Sequence, residues 1–292
     1  MQDIFIVVNP SAGRYSDRVL SDTKDFLKKN EIEPKIYFTK SEGDATLIAS
    51  NICNKSSNPL IAIIGGDGTI NEVINGISHH NVTLAVLPSG TANVLAKELA
   101  IPNYKETLGL ILSGEKKELF LGEVQLLKEP VKKRFILMAG VGIDGEVVSG
   151  LNLGLKKIFG KYAYLFSAIR CLFSWDNNYL VVSDGAKAVN AHSVIACNAS
   201  KYGGNFKLAH NTDVFKRGLQ LICVHDDKRR SYIKLAIRLL FKKTIYDSED
   251  LSFIMTDEAI IDGKKAIQVD GDFFGFSPAK IAVSPFKIGI IA

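Results

Sequence analysis

Short apolar runs recur along the first part of the chain, each closed by a small polar turn and followed by an amphipathic stretch. Residues 4–8, 35–39, 60–64 and 82–87 read as strands. Residues 17–29, 44–54, 94–99 and 104–113 carry apolar positions at helical spacing, the last closed by Gly114. Strands alternating with helices in this way predict a parallel, Rossmann-like α/β sheet, whose ligands lie beyond the carboxyl ends of its strands. The rhythm changes after the charged, proline-containing turn at 128–133. Strand-like runs then follow one another closely (135–143, 192–198, 266–269, 278–291), which predicts a mainly antiparallel second domain. The expected division is 1–128, 129–284, and a terminal segment, 285–292, returning to the first domain.

Composition narrows the class. Of 292 residues 47% are hydrophobic and 23% charged, enough apolar content for proper cores and unlike a disordered chain. Cys53, Cys171, Cys197 and Cys223 are scattered without metal-binding or CxxC spacing, the pattern of reduced thiols in a cytoplasmic protein. The start, MQDIFIVVNPSAG, does not read as a signal peptide, and no apolar run is long enough to span a bilayer. A net charge of +5 is mild and argues against dedicated nucleic-acid binding.

The densest chemistry lies in LIAIIGGDGTINEVING, residues 60–76. A strand, a glycine turn and a helix start make an anion site. Glycine lets backbone approach a phosphate, and the first N–H groups of the helix point at it. Thr69 is placed to cap that helix. Asp67 beside a phosphate requires an intervening cation or proton, so it suggests a magnesium-bridged nucleotide or a base that accepts a hydroxyl proton. A tight turn with a surface aspartate explains the same letters. Asn9 and Thr39 end two other strands at the same edge. A second small-residue loop, PSGTAN at 88–93, follows the fourth strand; on its own it is an ordinary turn with Thr91 as cap.

Together GGDGTINEVING and, about twenty positions on, LPSGTANVLAKEL resemble the catalytic domain of the soluble diacylglycerol kinase and sphingosine kinase family. NPSAG is similar to that family's first loop. The resemblance implies an NAD kinase/phosphofructokinase-like first domain and a β-sandwich second domain. It implies ATP and Mg2+, with Asn9, Thr39, Gly65, Gly66, Asp67, Gly68, Thr69, Asn71, Gly90 and Thr91 around the nucleotide. Many relatives carry Asn-Asp where this chain has Asn93-Val94, and that obscures the acceptor lipid.

The resemblance continues in the second half. Asp144, after the glycine-rich run FILMAGVGI, is implied near the lipid head group; a loop aspartate capping the next helix is the plainer alternative. The stretch beginning at Asn198, with Gly203 and Gly204, matches a family segment that helps hold a structural divalent metal. Arg217 replaces a carboxylate there, leaving Asp213 as one ligand at most. VDGD at 269–272 aligns with the family's Asp-Gly-Glu, whose last carboxylate is the proton acceptor; Asp272 is one methylene shorter. Asp-Gly is also a hairpin signal, and a hairpin tip can carry a base.

Two further stretches bear on the substrate. The aromatic and aliphatic run 158–175 reads as a helix, either core or one wall of a lipid pocket. Residues 228–243, with Lys228, Arg229, Arg230, Lys234, Arg238, Lys242 and Lys243 and no acid, read as a basic amphipathic helix. It either packs with a solvated basic face or meets an anionic membrane surface.

These readings give an ATP-dependent lipid kinase that phosphorylates a primary hydroxyl, as on diacylglycerol, with Asp67 or Asp272 as the base. The enzyme is cytoplasmic and peripherally membrane-associated. A homodimer is compatible with this reading. The rivals are an NAD kinase-like or sugar-phosphate kinase on the same scaffold, and a catalytically weak lipid-binding regulatory protein.

Overall fold

The computed structural model describes residues 2–150, 177–202, 206–241 and 247–292. The chain divides into two compact units: Met1–Phe120 with Pro285–Ala292, and Leu121–Tyr202 with Phe206–Ser284. The expected helix at 158–175, together with Cys171, Gly203, Gly204, Lys242 and Lys243, lies outside the described residues.

The first unit alternates strand and helix: β1 (Asp3–Val8), α1 (Asp17–Lys29), β2 (Lys35–Phe38), α2 (Asp44–Lys55), β3 (Pro59–Gly65), α3 (Asp67–Gly76), β4 (Thr83–Pro88), α4 (Val94–Glu98) and α5 (Tyr104–Ser113). The strands pair in parallel in the order β2-β1-β3-β4, and Gly289 and Ile290 of the last strand pair beside Thr83 and Leu84. Every residue of β3 is buried, as expected of a parallel strand covered on both faces. One face, with Ile6, Val8, Leu60, Ala62 and Ile64, packs on Val19 and Leu27 of α1 and Leu108 and Ile111 of α5. The α2–α3 pair covers the other. These two helices touch so closely that a Cβ at Gly76 would lie 2.1 Å from the Thr46 carbonyl oxygen.

Because the strands are parallel, their carboxyl ends share one edge. Thr39, Asn9, Gly65 and Pro88 are therefore brought to the same side of the first unit.

The second unit is antiparallel. After β5 (Lys116–Leu126), which begins in the first unit, come β6 (Lys132–Phe135), β7 (Met138–Val141), α6 (Ile143–Ser149), β8 (Leu180–Ser183), β9 (Ala188–Ala191), β10 (Ser193–Cys197), β11 (Lys201–Tyr202), β12 (Phe206–Lys207) and β13 (Leu219–Val224). Then follow α7 (Arg229–Leu240), β14 (Leu251–Thr256), β15 (Glu258–Asp262), β16 (Ala266–Val269), β17 (Asp272–Phe276) and β18 (Ala279–Ile291). One sheet runs β14-β13-β10-β7-β16-β17. A second set pairs β9 with β8, β8 with β15, and β15 with the first residues of β18.

The structure corrects the expectation of one strand over 135–143. That run breaks after Phe135 and resumes at Met138. At the break the backbone N–H groups of Ile136, Leu137 and Met138 donate to the Asp270 carboxylate, at 2.8, 2.9 and 2.9 Å. A side chain from the distant hairpin thus takes bonds that a continuous ladder would have used.

Candidate active site

The loop after β3 is built for close approach. An added Cβ at Gly66 would sit 3.0 Å from the Gly90 Cα, and one at Gly90 would sit 2.5 Å from the Gly66 Cα. Glycine at both positions is what lets the two bends touch, backbone on backbone. Asn93 closes the second bend: its Oδ1 accepts the Gly90 N–H at 2.8 Å and its Nδ2 donates to the Gly90 carbonyl at 3.0 Å. It does so with φ of +48°, a conformation asparagine tolerates better than most residues.

The first loop joins them. Asn9 Nδ2 donates to Thr69 Oγ1 at 2.9 Å, and the Arg14 N–H donates to the Ser89 carbonyl at 2.8 Å. A Cβ at Gly13 would meet Thr91 Oγ1 at 2.5 Å. Asn9, Gly65, Gly66, Asp67, Thr69, Gly90 and Thr91 therefore belong to one cluster. Gly68 differs from its neighbours: it is exposed, and no atom would meet its Cβ within 4 Å. By helix geometry the first N–H groups of α3 have no intrahelical acceptor, so a phosphate oxygen can be met there by backbone donors and the positive end of the helix.

Two capping expectations are corrected. Thr69 does not cap α3; the cap position is Gly66, and Thr69 lies inside the first turn with its hydroxyl turned to Asn9. Thr91 does not cap α4 either. That helix starts after Asn93, and its first N–H groups are taken from the other loop: Val94 donates to Asp67 Oδ2 and Leu95 to Asp67 Oδ1, both at 3.0 Å. Residues next to a helix start in sequence lost to a carboxylate reaching it from across the turn. Asp67 is thus a brace between the two loops.

Asn71 is buried behind the loop, where its Oδ1 accepts from Asn75 Nδ2 at 3.2 Å. Thr39 donates its N–H to the Val8 carbonyl at the edge of the sheet. Its loop is folded by Asp44, whose carboxyl pKa is lowered by the backbone N–H groups of Lys40 and Ser41.

In the second unit Asp144 sits in the first turn of α6 but does not cap it. Its Oδ1 accepts from the Tyr202 hydroxyl and its Oδ2 from Gln268 Nε2 at 2.6 Å. Desolvation raises its pKa, opposed by these two donors. The sign follows. With the folded-state value above the unfolded one of about 3.9, its contribution to stability is full below that unfolded value. The contribution is lost as pH rises through the folded value.

Asp270 and Gly271 form the tip between β16 and β17, with φ of +49° and +90°, the two positive values of a type I′ turn. Asp272 follows as the first residue of β17, part-exposed, 3.7 Å from Lys133 Nζ.

The sequence reading missed Tyr202 and Gln268. Gln268 could have been found, because a polar residue at a fully buried position of an apolar strand needs a partner. Asp213 pairs with Lys216 at 3.6 Å and accepts the Phe215 N–H, while Arg217 pairs with Asp257 at 2.7 Å. Among the described residues no group of His, Cys, Asp or Glu is arranged to hold a metal, and no helix is long and apolar enough to cross a membrane.

Residues 3–124 match the diacylglycerol kinase catalytic domain, and residues 138–292 match the YegS C-terminal NAD kinase beta sandwich-like domain. The chain thus carries a match to a diacylglycerol kinase catalytic domain followed by a YegS C-terminal domain, and by the latter, which spans half its length, it belongs to the YegS C-terminal domain family. The diacylglycerol kinases of Staphylococcus aureus strains MRSA252 and Newman are each 34% identical to it over 171 residues, 57% of this chain and 52% of theirs. The chain spans about half the length of these curated relatives. In fold it is similar to a crystal structure of a diacylglycerol kinase from Bacillus anthracis str. Sterne, with TM-score 0.72 and 21% identity over 98% of this chain and 96% of that one. A second chain from the same organism, provisionally assigned to the same class, gives TM-score 0.77 and 23% identity over 98% and 94%.

The glycines make a discriminating pair. Gly68→Ala enters open space, so it should leave the melting temperature nearly unchanged; if nucleotide phosphates meet this helix start, it should also raise the KM for ATP about tenfold or more. Gly90→Ala must push the loops apart and should cost roughly 1–3 kcal/mol of stability. Thermal unfolding with ATP titration separates the two. An unchanged KM in Gly68→Ala would remove the phosphates from this turn.

Proposed function

We propose that this protein is an ATP-dependent lipid kinase that transfers the γ-phosphoryl group to the primary hydroxyl of a lipid such as diacylglycerol, giving a phosphatidic acid-like product. The observation that carries the reading is the joined cluster of three turns at the carboxyl ends of β1, β3 and β4, with Gly68 left open on a helix start. The names of the Staphylococcus aureus relatives support the lipid class. Catalysis of this kind is mostly positioning and charge neutralisation.

In this reading the turns of the first unit hold the triphosphate. Asp67 would help hold a magnesium ion bound with the nucleotide, which would supply positive charge against the phosphates. Asp67 fits it as a hard oxygen donor, because each carboxylate oxygen accepts one N–H and keeps a second lone pair. Asp67 is otherwise committed to bracing α4. The proton of the acceptor hydroxyl is therefore assigned to Asp272, the first residue after the hairpin tip. Asp144, held by Tyr202 and Gln268, is assigned to the lipid head group. The Asp213 metal site is not carried further, since its carboxylate is engaged by Lys216 and Phe215.

Access to the lipid is assigned to an anionic membrane surface through residues 228–243, which makes the enzyme peripheral. Helix α7 packs inward through Tyr232 and Leu235. Its outer face exposes Ile233 and Ile237, and Phe241 follows its end, each four positions apart and 48%, 47% and 72% exposed, among Arg230, Lys234 and Arg238. Apolar residues one turn apart and ringed by cations suit shallow insertion among anionic head groups. Ile237→Asp is expected to weaken binding to phosphatidylglycerol vesicles about tenfold in a sedimentation assay while leaving the melting temperature unchanged. Equal binding would remove this face from the membrane.

Incubation with labelled ATP and a panel of diacylglycerol, monoacylglycerol, a sphingoid base and a polyprenol in mixed micelles tests the function. NAD and a sugar phosphate serve as soluble competitors. Label in a lipid phosphate supports the reading. Faster transfer to a soluble acceptor, or lipid binding without turnover, replaces it by one of the two rivals.

A further inference from the structure

Gln268 is buried in β16 and uses both ends of its amide. Its Nε2 donates to Asp144 Oδ2 at 2.6 Å, and its Oε1 accepts the Gly271 N–H at 2.7 Å. One side chain therefore joins the carboxylate in α6 to the turn whose next residue is Asp272. We propose that Gln268 is a positioning residue for the acceptor side of the reaction, fixing Asp144 and the turn that presents Asp272 in one frame. The proposal rests on the assignment of these two carboxylates to the lipid.

The surroundings leave this frame little freedom. Two glycines seat α6: a Cβ at Gly140 would lie 2.2 Å from Asp144 Oδ2, and one at Gly145 would lie 2.1 Å from the Ala266 carbonyl oxygen. The turn is held from its other side by Asp270, which accepts the N–H groups of Ile136, Leu137 and Met138. Asp270 anchors the hairpin to β7 and Gln268 anchors it to α6, and removing either leaves the other in place. Within this double clamp the Gln268 amide touches both the turn and Asp144.

An amide suits the task. Its orientation is set at both ends, since only the oxygen can accept from Gly271 and only the nitrogen can donate to Asp144. The donated N–H favours the ionised carboxylate, against the burial that disfavours it. Among the described residues the ionisable side chains acting on Asp144 are Tyr202 on β11 and Cys197 on β10; β7 and β16 carry none, and β17, which also packs on α6, carries Asp272. Tyr202 supplies the second donor, and burial keeps the Cys197 thiol protonated. The two donated hydrogen bonds offset part of the burial that raises the Asp144 pKa and fix where its carboxylate oxygens lie.

The test combines carboxyl-carbon NMR titration of Asp144 with phosphoryl-transfer kinetics, in the wild type and in Gln268→Met and Gln268→Glu. In Gln268→Met the donor is lost, so the Asp144 titration should move further up in pH. There kcat for lipid should fall about tenfold or more while KM for ATP changes less than about twofold. Gln268→Glu keeps the acceptor for Gly271 but sets a second carboxyl against Asp144. Its kcat should fall as pH rises through the titration of that pair, a limb absent from the wild type. If the Met variant does not fold, the Glu variant carries the same decision. An Asp144 titration unmoved by both changes, or a loss shared equally by ATP KM, overturns the proposal. Should the wild type phosphorylate no lipid, the functional reading falls, while the NMR titration still decides whether Gln268 holds Asp144.

Discussion

Asp67→Ala is expected to lower kcat for lipid phosphorylation by roughly three orders of magnitude, read as labelled phosphate in the lipid product. Two effects combine. The carboxylate proposed to meet the magnesium–nucleotide charge is gone, and α4 loses the acceptor for the N–H groups of Val94 and Leu95. The second effect alone costs about 1–2 kcal/mol, as for other lost caps, which a protein of ordinary stability survives. The variant should therefore fold, with a slightly lower melting temperature. Asp67→Asn separates the roles. It keeps one acceptor for α4 and removes the charge, so it should retain most of the stability and still lose about a hundredfold or more in kcat. If Asp67→Asn keeps wild-type turnover, bracing is the whole of its work and the magnesium assignment is wrong.

Asp270→Ala should be the most destabilising single substitution in the second unit, by roughly 3–5 kcal/mol in chemical denaturation. That figure follows from ionised hydrogen bonds at about 1.5–3 kcal/mol each, discounted for partial solvent access. Three backbone N–H groups lose their acceptor at once, at the point where the 135–143 run is broken. The turn conformation adds to the loss, because φ of +49° at this position suits Asp or Asn and strains Ala. Asp270→Asn keeps the turn and one acceptor and should cost less than half as much. Equal loss in both would place the cost in charge rather than in the number of bonds. A loss below about 1 kcal/mol in Asp270→Ala would mean that the carboxylate does not hold the break.

The glycine turn after β3 was legible because its chemistry is local: strand, glycine and helix start lie within one stretch of chain. Asp67 was legible as the odd residue there but not as a brace, since α4 lies 27 residues away and its approach depends on β3 and β4 pairing in parallel. The same reason hid the start of α4: Thr91 was the nearest hydroxyl in sequence, but the acceptor in space is Asp67. Asp144 was legible by resemblance, whereas Tyr202 and Gln268, which define its hydrogen bonding, lie 58 and 124 residues away.

Periodicity and turn chemistry by themselves determined the alternation of the first unit, the antiparallel character of the second, and the Asp-Gly tip before Asp272. Each follows from backbone preferences and side-chain spacing over a few residues. Tertiary structure alone decided which loops touch, which carboxylate braces which helix, and where the 135–143 strand breaks. Those outcomes depend on which donors and acceptors, far apart in the chain, the packed sheets bring within reach, and no local pattern encodes that.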